Sequence, residues 1–242
     1  LKNVHITYDA DLPSGTGLGT SSAFAVSLYN AFYARNEIKA NERLLAEKAI
    51  NLERIIMKES GGIQDQIATA YGGLNLIDFG KDFKVKKLIV SKKKLSNLEK
   101  HLMLFFTGVS RKSNIIEKSK IDKISSNYDI IHQQKQLVTK AVEALMDDQD
   151  LKIIGELLDE SWKLKMRLTS KVTNDVINNM YETAKKNGAL GGKILGAGGG
   201  GFLLIFAEPK FHLRIKDSLR DFYHINFRFE DTGSTIIYDY KE

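Results

Sequence analysis

The sequence of 242 residues contains no cysteine, only two prolines and a single tryptophan. The absence of cysteine excludes disulfide bonds and thiolate-bound metals, and it gives no sign of secretion. No apolar run approaches the roughly 18 residues of a membrane-spanning helix. The net charge of +6 comes without a basic stripe interleaved with aromatic residues, so neither a nucleic acid nor a membrane is an expected partner. This modest positive charge instead suits an anionic small molecule.

Glycine, by contrast, is abundant and clustered, and fifteen of the nineteen glycines fall within residues 15–19, 61–62, 72–73 and 188–201. The first cluster is followed by Thr20, Ser21 and Ser22, whose hydroxyls suit a helix N-cap. A glycine loop that opens a helix is a binding site for anions, phosphate above all. No lysine follows as in a Walker A loop, and the G-x-G-x-G spacing differs from the dinucleotide fingerprint. The alternative is an ordinary helix with a glycine-rich entry.

Two acidic residues near the second glycine cluster are candidates for chemistry. Asp65 follows Gly61 and Gly62 at the start of a predicted short helix, where its carboxylate is expected to stay ionised and could accept a hydroxyl proton. Glu53 lies on the preceding helix and could fold back toward Asp65. Two carboxylates and a serine hydroxyl that face bound phosphates would suit Mg²⁺. The alternatives are a helix cap for Asp65 and a solvent-facing helix position for Glu53.

Hydrophobic periodicity predicts an α+β protein in which helices cover one face of an antiparallel sheet. In the first helix the spacing of Phe24, Leu28, Ala31 and Phe32 predicts the buried face. A Lys-rich turn near 92–97 is the best candidate for a domain boundary. The predicted strands are 3–8, 74–79, 85–90, 102–106, 202–206, 225–230 and 235–239. The predicted helices are 21–35, 41–58, 63–70, a region from 111 to 187 with breaks near 124–128, 147–150 and 169–174, and 210–222.

Three motifs, in this order, resemble those of the GHMP kinases: PSGTGLGTSSA at 13–23, GGIQDQ at 61–66 and GGKILGAGGGGF at 191–202. Within this superfamily the chain is most similar to the bacterial D-glycero-D-manno-heptose 7-phosphate kinases. The segments that carry this narrower likeness are YGG after GGIQDQ, FTGVSRKS, SWKLK at 161–165 and NGALGGKILGAGGGG. The resemblance implies a ribosomal protein S5 domain 2-like N-terminal half, incomplete here, and a ferredoxin-like α+β C-terminal domain with extra helices. These would span residues 1–95 and 96–242.

The resemblance also implies which residues form the active site. Asp65 would be the general base or would orient the acceptor hydroxyl, and Ser21 and Glu53 would bind Mg²⁺. Gly198 and Gly199, with the rest of the 196–201 loop, would pack over the substrate. Arg111 could bind a substrate phosphate, with a plain surface arginine as the alternative, and Lys193 is a second choice. Trp162 and Lys165 are expected to be core and surface residues. The ATP-binding residues would be Pro13, Ser14, Gly15, Thr16, Gly17, Leu18, Gly19, Thr20, Ser21 and Ser22.

The implied reaction is transfer of the ATP γ-phosphoryl group to a sugar or sugar-phosphate hydroxyl, in the cytoplasm, and a homodimer is a candidate assembly. The expected acceptor is the anomeric hydroxyl of D-glycero-D-manno-heptose 7-phosphate. A kinase for another sugar or alcohol, and a non-catalytic nucleotide or sugar binder on the same fold, are the alternatives. Members of this superfamily usually carry further residues before the phosphate loop, so we expect residues upstream of Leu1.

Overall fold

The computed structural model of the chain describes residues 4–12, 15–109, 113–147 and 149–238, and for 113–115 the backbone alone. The first half packs three helices against one another and carries a two-stranded antiparallel sheet. A π-helical segment, Asn51–Ile56, continues α2 directly. The helices are α1 (Thr20–Arg35), α2 (Glu42–Ile50) and α3 (Gln64–Tyr71), and the strands are β1 (Asn75–Phe79) and β2 (Phe83–Lys87).

The second half is built on a four-stranded antiparallel sheet in the order β4-β5-β3-β6. This order is the ferredoxin-like arrangement, so the predicted α+β class and the antiparallel sheet are confirmed. The helices are α4 (Lys92–His101), α5 (Ser113–Ile121), α6 (Tyr128–Met146), α7 (Lys152–Leu168), α8 (Asp175–Lys186) and α9 (His212–Ser218). The strands are β3 (Leu102–Phe106), β4 (Ala189–Ile194), β5 (Phe202–Ala207) and β6 (His224–Ile225).

Each half has its own apolar core. In the first half Val26, Ala46 and Ile67 are fully buried between the three helices. In the second half Trp162 and Ile205 are fully buried between α7 and the sheet, so Trp162 is a core residue as expected. Within the described residues, no helix combines the length and the apolar character needed to cross a lipid bilayer.

Several sequence predictions for the first half were wrong. Residues 4–8, within the predicted first strand, form no ladder, because the described part of the chain places no strand beside them. The supposed Lys-rich turn at 92–97 is the start of α4, because the Ser91 side chain accepts a hydrogen bond from the Lys94 N–H and caps the helix. In α1 the buried residues are Ser22, Ala25 and Val26, whereas Ala31 is exposed.

The second half also departs from its predicted elements. No strand was predicted within 188–201, but β4 occupies Ala189–Ile194. Its glycines read as loop residues, yet Gly191 lies so close to the Gly155 carbonyl of α7 that a side chain has no room. The predicted helix 210–222 is shortened to Pro209–Phe211, a 3-10 turn, and α9. Of the two last predicted strands, the part of the chain described up to residue 238 forms only His224–Ile225. Residues 230–234 instead run along the first half, where the Gly73 N–H donates to the Glu230 carbonyl at 2.9 Å.

Candidate active site

Two glycine loops meet backbone to backbone and form one wall of an open cleft. We call residues 15–19 the first glycine loop and residues 196–201 the third glycine loop. A methyl group built on Gly196 would lie 2.6 Å from Gly17 Cα, and one built on Gly17 would lie 2.9 Å from the Leu195 carbonyl oxygen. Both residues have positive φ, 63° and 81°. Only glycine permits this approach, so the third glycine loop sets the position of the first.

The first glycine loop ends at an open helix N-terminus. The N-cap of α1 is Gly19, with φ 72°, and no side chain caps the helix. The prediction that hydroxyls of Thr20, Ser21 or Ser22 supply the cap was therefore wrong. The N–H groups of the first turn and the positive end of the helix dipole face an uncapped opening, which is the geometry that binds a phosphate group.

Beneath this opening the carboxylate of Glu53 is almost completely buried, with 2% of the residue exposed. Ser21 Oγ donates to Glu53 Oε1 at 2.5 Å and Ser22 Oγ donates to Oε2 at 2.9 Å. The side-chain amide of Gln66 also donates to Oε2. The solvent-facing alternative for Glu53 is thereby excluded, and the serine hydroxyls expected to cap α1 instead hold this carboxylate. Glu53 lies in the π-helical segment, a distortion that is frequent at functional sites.

Asp65 lies directly against the first glycine loop, in the first turn of α3. A side chain added at Gly19 would come within 3.5 Å of Asp65 Cβ and 3.7 Å of its carboxyl carbon. Burial raises the pKa of Asp65, and the positive charge of Arg54 opposes this, while Glu53 and Glu117 add to it. The prediction that a helix start simply keeps this carboxylate ionised is therefore incomplete. A carboxylate with a raised pKa in a cleft is suited to accept a proton.

Arg54 is the principal residue of the cleft that the sequence analysis missed. Its Nε and Nη2 both donate to the Gly62 carbonyl, at 3.1 and 2.8 Å. Arg54 thus clamps the glycine turn that leads into Asp65, and it lies 3.8 Å from Glu59 Oε2. The available signal was its place next to Glu53 on a helix that ends at a double glycine. Glu117 of α5 also lines the cleft, close to Gly61 on the side where Arg54 lies, and it was also missed.

The other predicted site residues divide into three groups. Gly15, Thr16, Gly17, Gly19, Thr20, Ser21, Ser22 and Gly198 line the cleft together with Glu53 and Asp65. Leu18 and Gly199 do not line the cleft. The Gly199 N–H donates a hydrogen bond to the Val172 carbonyl at 2.6 Å. Pro13, Ser14 and Arg111 lie outside the described residues.

Lys165 is not the surface residue that was expected. It is buried, with 7% of the residue exposed, and its Nζ donates to the carbonyls of Ile194 at 2.9 Å and Gly196 at 2.6 Å. An ammonium group so placed holds the start of the third glycine loop. Lys193 Nζ donates to Ser161 Oγ at 3.1 Å, between β4 and α7, and does not itself line the cleft.

Comparison with known proteins identifies the family. The model of the GHMP kinases N terminal domain matches residues 2–73, and that of the GHMP kinases C terminal domain matches residues 140–225, so together they cover more than half of the chain. This chain belongs to the GHMP kinase family. The first model spans the first glycine loop, Glu53 and Asp65, and the second spans the third glycine loop, so the cleft unites parts matched by both models of the kinase family.

Individual GHMP kinases resemble this chain over most of its length. The D-glycero-alpha-D-manno-heptose 7-phosphate kinase of Campylobacter jejuni is 34% identical over 87% of this chain and 63% of its own length. A mevalonate kinase of Thermococcus sibiricus is 27% identical over 86% of this chain and 61% of its own. The crystal structure of a D-glycero-D-manno-heptose 1-phosphate kinase from Bacteroides thetaiotaomicron superposes with a TM-score of 0.75 at 26% identity, over 95% of this chain and 66% of that one. The chain thus spans slightly less than two thirds of these kinases.

The donor atoms around the cleft suit a nucleotide triphosphate and Mg²⁺. The uncapped N–H groups of α1 can bind phosphate oxygens, and the glycines leave space that a Cβ would fill. Glu53 and Ser21 offer two hard oxygens 2.5 Å apart. The described residues contain no group of three or more His, Cys, Asp and Glu side chains that could enclose a metal. Mg²⁺ needs no such cage, since it takes one or two carboxylates and completes its shell with phosphates and water.

Proposed function

We propose that this chain carries the phosphoryl-transfer site of an ATP-dependent sugar kinase that acts in the cytoplasm, where ATP is supplied. The observation that carries the proposal is the placement of Asp65 against Gly19, beside an uncapped helix start whose hydroxyls bind a buried carboxylate. One acidic group thus faces the acceptor side of an anion site and a second, Glu53, lies beneath it. A pure nucleotide sensor has no use for the first of these.

The residues divide the work of an in-line displacement. The N–H groups at the start of α1 bind and orient the triphosphate, and Ser21 and Glu53 would hold Mg²⁺, which when bound neutralises phosphate charge. Asp65 accepts the proton of the acceptor hydroxyl as the new O–P bond forms, while the bond to the β–γ bridging oxygen breaks and ADP leaves. The positive charge of Arg54 lowers the pKa of Asp65, which burial raises, and so keeps the carboxylate available to accept a proton. Most of the rate enhancement comes from this positioning.

We propose further that the acceptor is D-glycero-D-manno-heptose 7-phosphate, phosphorylated at the anomeric hydroxyl to give a 1,7-bisphosphate. The support is the heptose 7-phosphate kinase from Campylobacter jejuni, with 34% identity over 87% of this chain. The mevalonate kinase of Thermococcus sibiricus and a bifunctional fucokinase are less similar, at 27% and 29% identity. A panel of heptose 7-phosphate, fucose, galactose and mevalonate, each with ATP and the full-length protein, identifies the acceptor by ADP release.

The decisive variant is Asp65→Asn, which removes the base and preserves shape. We expect kcat to fall by about 10²- to 10⁴-fold, the usual contribution of general acid–base catalysis, with ATP affinity unchanged. Asp78→Asn, on the exposed end of β1, is the matched control and should leave kcat unchanged. A normal kcat for Asp65→Asn would refute the assigned role. If none of the acceptors on the panel leads to ADP release, the acceptor would be a different alcohol.

A further inference from the structure

The two oxygens of the buried Glu53 carboxylate have unequal surroundings. Among the residues that the structure describes, Oε1 accepts a hydrogen bond from Ser21 Oγ, at 2.5 Å. Oε2 accepts one from Ser22 Oγ at 2.9 Å and another from the side-chain amide of Gln66, and it lies 3.9 Å from Arg54 Nη2. The hydrogen-bonding capacity of Oε2 is therefore used within the protein, whereas Oε1 retains capacity for a further ligand.

The same partners show which oxygen faces the cleft. Ser21, which binds Oε1, is exposed and lines the cleft. Ser22, which binds Oε2, has only 4% of its surface exposed, and Gln66 is fully buried. Oε1 is therefore the Glu53 oxygen on the cleft side, where the triphosphate would bind. Oε2 is turned toward the interior, where α1 and α3 supply its hydrogen-bond donors.

Gln66 is an unfavourable residue at this position for packing alone. Its own side-chain oxygen is buried and has no partner within the described part of the chain. A buried polar atom without a partner lowers stability, so burial alone would favour an apolar side chain of the same length. The glutamine instead supplies the N–H that Glu53 Oε2 accepts. This bond ties α3, which carries Asp65, to the π-helical segment that carries Glu53.

A carboxylate with one anchored oxygen can present only its other oxygen to a metal ion. Mg²⁺ is small and requires near-ideal octahedral geometry, and the narrow bite of a carboxylate cannot span two corners of that octahedron. Ca²⁺ is larger, takes more oxygen ligands and binds carboxylates through one oxygen or both. Anchoring Oε2 of Glu53 is therefore compatible with Mg²⁺ and denies Ca²⁺ a second oxygen from the same side chain.

We propose that Gln66, together with Ser22, anchors Glu53 Oε2 and so makes the triphosphate site selective for Mg²⁺ over Ca²⁺. Gln66 acts through Glu53 and is a positioning residue, because it lies behind the carboxylate and does not line the cleft. The inference rests on the proposed kinase function, in which Ser21 and Glu53 would hold Mg²⁺, and adds to it the choice of the ion.

The test measures the binding of AMPPNP to the full-length protein by calorimetry, with saturating Mg²⁺ and with saturating Ca²⁺. Gln66→Met keeps the length of the side chain and removes its N–H donors, and Gln133→Met on the exposed face of α6 is the matched control. Wild type and Gln133→Met should bind the Mg²⁺ complex more tightly than the Ca²⁺ complex. Equal Kd values for the two complexes in wild type would overturn the inference.

The readout is the ratio of the two Kd values, which a merely structural role of Gln66 would not change. Loss of an outer partner of a metal ligand costs about 10- to 100-fold in affinity, so we expect Gln66→Met to raise the Kd of the Mg²⁺ complex by that factor. The Kd of the Ca²⁺ complex should stay the same or fall, because the released oxygen of Glu53 becomes available to this ion. An equal rise for both complexes, or no change in either, would overturn the inference.

Two serine variants make the test independent of whether Gln66→Met folds. Ser22→Ala removes the other hydroxyl that anchors Oε2 and should move the Kd ratio in the same direction as Gln66→Met. Ser21→Ala removes a ligand open to either ion and should raise both Kd values by a similar factor. If Gln66→Met does not fold, an unchanged ratio in Ser22→Ala would overturn the inference.

The inference and the proposed function can fail separately. If wild type binds AMPPNP with neither ion, the triphosphate site of the proposed function is refuted together with this inference. If wild type binds the Mg²⁺ complex and transfers phosphate, but the Kd ratio is the same in Gln66→Met, this inference alone is refuted.

Discussion

The contact between Gly196 and Gly17 makes a sharp test of how the cleft is built. Gly196→Ala introduces a Cβ that would lie 2.6 Å from Gly17 Cα, 2.8 Å from its carbonyl oxygen and 3.1 Å from its carbonyl carbon. All three neighbours are backbone atoms, so no side-chain rotation relieves the clash. The first glycine loop, which should bind the triphosphate, must move.

The size of the effect follows from two terms. The backbone of Gly196 has φ 63°, a left-handed conformation that costs a residue with a side chain about 1–2 kcal/mol. Carbon atoms in contact prefer a separation of about 3.5–4.0 Å, so the two loops must separate by roughly 1 Å. A misplacement of about 1 Å costs on the order of 100-fold in rate. We therefore expect Gly196→Ala to lower kcat/KM about 100-fold.

The matched control is Gly108→Ala. Gly108 has a similar φ of 71°, but a Cβ there would meet no atom within 4 Å. Left-handed backbone strain should cost each variant about 1–2 kcal/mol of unfolding free energy, measured by urea denaturation, and the clash should add to this loss in Gly196→Ala. Only Gly196→Ala should lose activity. Equal kcat/KM values for the two variants in the full-length protein would refute the idea that the third glycine loop positions the first.

Three further predictions concern charge. Arg54→Gln should move the acidic limb of the pH profile of kcat/KM to higher pH, because the pKa of Asp65 rises further, and Glu117→Gln should move it to lower pH. The pKa of Lys165 is about 7 in the folded protein and about 10.4 in the unfolded chain, so between pH 7 and 9 the unfolded chain binds the extra proton. The unfolding free energy of wild type, measured by urea titration, should therefore rise relative to that of Lys165→Met by up to about 1.4 kcal/mol per pH unit. Ser21→Ala should raise KM for ATP about tenfold in steady-state assays, through loss of a hydroxyl bound to a carboxylate.

Each of these three predictions has a result that would contradict it. Shifts of the pH profile in the same direction for Arg54→Gln and Glu117→Gln would contradict the charges assigned around Asp65. A stability difference that stays constant from pH 7 to 9 would mean that Lys165 does not lose its proton in the folded protein. Wild-type dependence on ATP in Ser21→Ala would remove Ser21 from the triphosphate site.

Elements with strong local signals were predictable. The helix after the first glycine loop, the short helix that contains Asp65 and the strand at 102–106 follow directly from periodicity and breakers. Elements whose signal is tertiary were not. The β4 strand was not predicted because its glycines suggest a loop. They are needed there because α7 and β5 pack too closely against β4 to leave room for side chains. The predicted buried face of α1 was wrong. Phe24 and Leu28 are only half-buried, whereas Ala25 and Val26 pack in the core with α2 and α3.

The same division holds for the candidate site. The glycine motifs and Asp65 can be identified from residue type and order alone. Arg54, Glu117 and the buried state of Lys165 do not, because a charged residue on a helix is solvent-exposed far more often than it is buried.

By itself, the order of residues determined which groups could do chemistry here: a glycine-rich helix start, an acid after a glycine turn, and a late glycine loop. Local composition dictates those, since backbone freedom and side-chain type belong to single positions. Only the tertiary structure decided that Gly196 touches Gly17, that Glu53 lies beneath Ser21 and Ser22, and that Lys165 is buried against the Gly196 carbonyl. Such contacts join residues up to about 180 positions apart, and long-range packing, not local preference, selects them.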